Sequence, residues 1–159
     1  MGIYLKLCAA LFVVAFASRS IHAEDADALS SKYFDLAGDQ KNDAEAKKVG
    51  NAFVEAAKTD ADALNEFAWK IMTEESIKKR DMDLAMRVAK AAFDVSEGKS
   101  AAIVDTYARA FFDSGKMEDG IKWQKKAIEL CTDDGLKSEL EETLKKYQEK
   151  ASEKKETKK

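Results

Sequence analysis

From about residue 26 to residue 148, apolar side chains return every three or four positions, and no proline interrupts them anywhere in the chain. That recurrence is the period of an α-helix with one buried face. Proline usually marks the turns and edges of sheets and the bends of long loops. A 159-residue chain without any therefore reads as all-α, with helices joined by short connections. At this length one domain with a modest core is expected.

The pattern resolves into seven segments. A short first helix carries Ala28, Leu29, Tyr33 and Leu36 and ends at Gly38. A second covers 43–58, with Ala46, Val49, Phe53, Ala56 and Ala57 on one face. Thr59 and Asp62 then predict a capping-box-like start for a third, striped by Leu64, Phe67, Ala68, Ile71 and Met72. After the polar stretch 73–81, a fourth helix carries Leu84, Ala85, Val88, Ala89, Ala92 and Val95 and stops at Gly98, since glycine takes the left-handed conformation of a helix end without strain. A fifth shows Val104, Tyr107, Ala108 and Phe111, and a sixth Ile121, Gln124, Ala127, Ile128 and Cys131. The last, over 135–150, presents Leu136, Leu140, Leu144 and Tyr147. Residues 149–159 are almost wholly polar and charged, too poor in apolar surface to offset the entropy of ordering, and read as a disordered tail.

The first residues are a separate object. A short basic start, an apolar run of 11 residues at 7–17 and a small, polar exit make the three-part form of a secretory signal peptide over 1–23. Cleavage after Ala23 is expected, with the site after Ala17 as the alternative. A membrane-spanning helix needs roughly 20 apolar residues, so an anchor is disfavoured. Removal of this segment takes away Lys6 and Arg19 but no acid, and moves the net charge from −3 to −5. With that balance there is no basic footprint for nucleic acid. The mature chain keeps Cys131 as its one cysteine and has no histidine.

Segments three to six form two matching pairs. Ala68 corresponds to Ala108, 40 positions on, and Ala85 to Gly120, 35 on; the difference is a longer turn at 74–79 in the first pair. A helix–turn–helix unit repeating at this length is the mark of a helical solenoid. The second unit, V-x-x-Y-A-x-x-F-F-x-x-G-x-M-x-x-G-I-x-x-Q-x-x-A-I from Val104 to Ile128, resembles the tetratricopeptide repeat family. Val104, Tyr107, Ala108, Phe111, Gly120 and Ala127 stand at the family's large and small positions. In the first unit Leu64, Phe67, Ala68, Ile71, Ala85 and Ala92 do so. Gln124 stands where an aromatic is usual, and Thr132 where proline often closes the unit. The resemblance implies a short tetratricopeptide-like stack of helical hairpins over 60–148. The N-terminal helical segment 24–59 and the last helix flank it.

The resemblance also implies a groove lined by the first helix of each unit. Carried over by position, Asn65, Glu66, Trp69 and Met72 line it from the first unit and Asp105, Arg109 and Phe112 from the second. Trp69 has a second reading, packed beneath Phe53. The family's clamp for a terminal carboxylate is not matched, because Trp69 and Asp105 occupy its places.

Residues capable of catalysis are few. Without histidine there is no Ser-His-Asp or Cys-His arrangement and no His-based zinc site, and one cysteine makes no CxxC pair. Neither GxGxxG nor GxxxxGK[ST] occurs, so no phosphate cradle is expected. The adjacent acids Glu74-Glu75, Asp133-Asp134 and Glu141-Glu142 point in different directions on a helix and suit solvated surface better than an acid/base couple. Cys131 reads as a small buried hydrophobe, with a disulfide between chains as the alternative. The expectation is therefore no enzyme and no cofactor. The chain reads as a periplasmic or secreted scaffold that binds a protein or peptide segment, not nucleic acid, with no stable membrane insertion once the signal is removed. Similar repeats are appended to exported bacterial thioredoxin-fold proteins, so an accessory role to such a thiol-disulfide protein is the alternative.

Overall fold

The computed structural model of the chain describes residues 25–38 and 42–156. Among the described residues there are seven helices and no strand: α1 (25–38), α2 (Asp43–Ala56), α3 (Ala61–Thr73), α4 (Met82–Val95), α5 (Ala101–Asp113), α6 (Met117–Leu130) and α7 (Asp134–Glu156). The fold is thus all-α. The proposed signal peptide lies outside the described residues. No helix among the described residues is long and apolar enough to cross a membrane.

The chain divides into two compact units, up to Ala57 and from Lys58 onward. In the first, α1 buries Ala26 and Tyr33, and α2 buries Ala46, Val49 and Phe53 at helical spacing. The Tyr33 and Phe34 rings meet edge to face, with centroids 5.1 Å apart.

The second unit is a stack in which α3 packs on α4, α4 on α5, α5 on α6 and α6 on α7, while α3 also touches α5. Close approach is possible because small residues sit at the crossings: Ala68, Ala85, Ala89, Ala92, Ala108 and Ala127 are fully buried. Gly120 shows how tight the fit is. A Cβ there would stand 2.8 Å from the Phe112 Cβ and 3.1 Å from the Ala108 carbonyl oxygen.

The helix ends follow from local chemistry. The Asp60 carboxylate accepts from the Ala63 amide at 3.0 Å, so the cap of α3 is Asp60 and the capping box expected at Thr59 and Asp62 does not form. Asp62 lies instead in the first turn, where its charge favours the amide end of the helix. Asp81 caps α4 in the same way at 2.9 Å, and Asp133 serves α7 through the Leu136 amide at 2.7 Å. After α4, Gly98 turns with φ 62° and its amide donates to the Phe93 carbonyl at 2.9 Å.

Two further features differ from the sequence reading. The stretch 73–81 is not uniformly polar in role: Ile77 is buried, and Arg80 and Lys78 side chains donate to the Glu74 and Glu75 carbonyls around it. The five-residue excess of the first hairpin is therefore a loop pinned by one apolar side chain. The expected disordered tail, 149–159, is helical as far as Glu156. Ala151 continues the buried line of Leu140 and Tyr147, and Lys155 pairs with Glu118 at 3.1 Å. Composition counts apolar residues; it does not see that one alanine falls on the covered face.

Candidate functional site

Where α3 meets α5, Trp69 stands 38% exposed. It projects from the side of α3 opposite the buried Leu64, Phe67, Ala68 and Ile71. The Arg109 guanidinium of α5 lies over its ring, 4.9 Å from the centroid. Arg109 is held from the other side, its Nε donating to the Asp113 carboxylate one turn on at 3.2 Å. Glu66 is exposed and paired with Lys70 at 2.6 Å. Asn65 is half-buried, and its Oδ1 has no hydrogen-bond partner among the described residues.

Of the seven residues predicted to line a groove, the structure thus brings Trp69 and Arg109 together, with Asn65 and Glu66 on the same helix as Trp69. Met72 and Phe112 are not on the surface. Met72 is buried in the core of the stack. Phe112 lies flat against Tyr147 of α7, centroids 3.8 Å apart, because the last helix covers the face that the repeat pattern alone would leave open.

Asp105 takes a third position. It is half-buried and its Oδ1 accepts from the Gln124 side-chain Nε2 at 2.7 Å. Burial pushes its carboxyl above the usual aspartate range; the Gln124 bond and the nearby Arg109 act in the opposite sense, and Glu139 adds to the rise. Tyr147 is held neutral well past the usual phenol range, first by burial and then by the charges of Asp105 and Asp113, with Arg109 opposing.

Sequence reasoning missed three members of this region: Gln124, Asp113 and Tyr147. Gln124 carried a signal, a polar residue inside an apolar stripe and at a position where the repeat family prefers an aromatic. Asp113, four residues beyond Arg109 on one helix, was also legible as a pair.

The acid pairs have structural occupations. Glu74 Oε1 accepts from Ser76, Asp133 caps α7, and Glu142 pairs with Lys146 at 2.9 Å. No group of three or more His, Cys, Asp or Glu side chains among the described residues is arranged to hold a metal ion. Cys131 is buried as a free thiol, and its Sγ donates to the Asp133 carbonyl at 3.3 Å. The Trp69–Arg109 surface offers an aromatic face, a guanidinium and flanking carboxylates, a set suited to holding a ligand through stacking and charge-assisted hydrogen bonds. The chain matches no family model, no curated protein and no solved structure.

Proposed function

We propose that this protein is an exported, non-enzymatic interaction module of the tetratricopeptide-like kind, which holds a partner polypeptide segment against the α3–α5 surface around Trp69 and Arg109. The observation that carries the reading is the Arg109 guanidinium resting over an indole that is left 38% exposed. Tryptophan and arginine are the side chains that most often anchor protein interfaces, and here they stand beside Glu66 and Asp113 as a polar rim. The two matched hairpins support the family resemblance, and the basic, apolar and small-residue order of 1–23 supports export to the periplasm or the medium.

The test is affinity capture from envelope extract with the wild-type chain, the double variant Trp69→Ala/Arg109→Ala and the control Lys90→Ala, which changes an exposed residue on α4. A partner retained by wild type and control and lost by the double variant is expected. Equal recovery by all three overturns the reading. Cell fractionation of chains with and without residues 1–23 tests export separately.

A further inference from the structure

Gln124 has no exposed surface, and its carboxamide is shared between two neighbouring helices. Its Nε2 donates to Asp105 Oδ1 of α5 at 2.7 Å and to the Leu140 carbonyl oxygen of α7 at 3.3 Å. Both amide hydrogens are thereby used. The Oε1 atom is buried and has no partner among the described residues. A buried acceptor without a donor is costly, and native cores hold few of them.

A proton on the Asp105 carboxyl would supply the missing donor. When the amide hydrogen on the oxygen's side points at one oxygen of a carboxyl group, the amide oxygen faces the other. An ionised carboxylate would set two acceptors against each other there. A neutral carboxyl group carries a proton on its second oxygen and closes an eight-membered ring with two hydrogen bonds. We propose that Asp105 is held as the neutral acid, donating from Oδ2 to Gln124 Oε1, and that this acid–amide pair is a pH-sensitive clasp seating α7 on the α5–α6 hairpin. The proposal does not depend on the partner-binding reading above.

Burial, more than charge, favours a neutral Asp105. On its own helix Arg109 favours ionisation, but that guanidinium is shared with Asp113 and the Trp69 ring. From α7, Glu139 opposes ionisation and Tyr147 presents an un-ionised phenol. From α6 the Gln124 amide donates to the carboxyl and favours ionisation, while on α3 the charge of Glu66 is matched by Lys70. Burial raises the carboxyl above its ordinary value of 3.8. A carboxyl raised in the folded state binds its proton more tightly there than in the unfolded chain. The contribution of the clasp is therefore whole below the ordinary value and is lost as pH rises through the folded-state value.

Asparagine in place of Asp105 reproduces both hydrogen bonds at every pH, since its Nδ2 donates where the acid proton would. Carbon-13 NMR of the full chain, with the Asp105 carboxyl resonance identified by its loss in Asp105→Asn, should give a midpoint above 3.8; a midpoint at or below that overturns the proposal. In thermal melts, Asp105→Asn should gain on wild type between pH 4 and pH 8, melting several degrees higher at the upper value. A gap that stays constant or reverses overturns it. Exchange of α7 amide hydrogens at pH 8, relative to wild type, should slow in Asp105→Asn; equal rates in the two proteins sink the clasp.

Discussion

The ring of Phe112 lies on the ring of Tyr147 with centroids 3.8 Å apart and planes within 7° of parallel. Thirty-five positions separate the two residues in the chain, and their contact attaches α7 to the second hairpin. Each ring is nearly closed to solvent, so the pair is core. Phe112→Ala should lower unfolding stability by about 3–5 kcal/mol, the usual cost of removing a buried aromatic side chain. Urea unfolding measures it; a loss below about 1 kcal/mol would mean that α7 is not seated through this ring.

Alkali should act on the same contact. The Tyr147 phenol is raised by burial, so the folded state keeps its proton after the unfolded chain has released its own. Stability tied to this group is complete below the ordinary phenol value of about 10 and falls as pH climbs beyond it. Tyr107 is raised for the same first reason. Tyr147→Phe should flatten the alkaline limb of the stability curve, and a limb of unchanged slope would contradict the burial argument.

Gly120 lies at a close crossing of α5 and α6. An added Cβ would meet the Phe112 Cβ at 2.8 Å and the Phe112 amide nitrogen at 3.0 Å, and backbone cannot swing aside as a side-chain tip can. Gly120→Ala, normally favourable within a helix, should instead destabilise by about 1–3 kcal/mol through overpacking. Thermal unfolding checks the sign. A higher midpoint for the variant would show that the two helices part more easily than this contact implies.

The loop between α3 and α4 depends on Ile77, which is 1% exposed. Ile77→Ala should cost about 2–5 kcal/mol, whereas Lys78→Ala, on an exposed neighbour, should stay within about 0.5 kcal/mol. Comparable effects from the two substitutions in denaturant unfolding would rule out a pinned loop.

The sequence alone determined the class of fold. Helical periodicity and the lack of proline are local properties, and each helix carries its own apolar stripe, so the seven segments and the two matching hairpins could be read from residue spacing. Gly98 likewise marked the end of α4 through its own backbone freedom. That Trp69 and Arg109 share a face was an expectation carried over from the family resemblance, and the structure sets the guanidinium over the ring.

What only the tertiary structure decided is which parts of each face are covered, and by what. Met72 and Phe112 share a pattern with Trp69 and Arg109, yet the first pair is buried while the second keeps solvent access. Spacing gives the direction of a side chain on its own helix; burial depends on a neighbour that arrives from elsewhere in the chain. The same reason hid the helical run of α7 to Glu156, the seat of Ile77 and the Asp105–Gln124 bond. Each is set by a contact between separate elements, and no single stretch of sequence contains both sides of it.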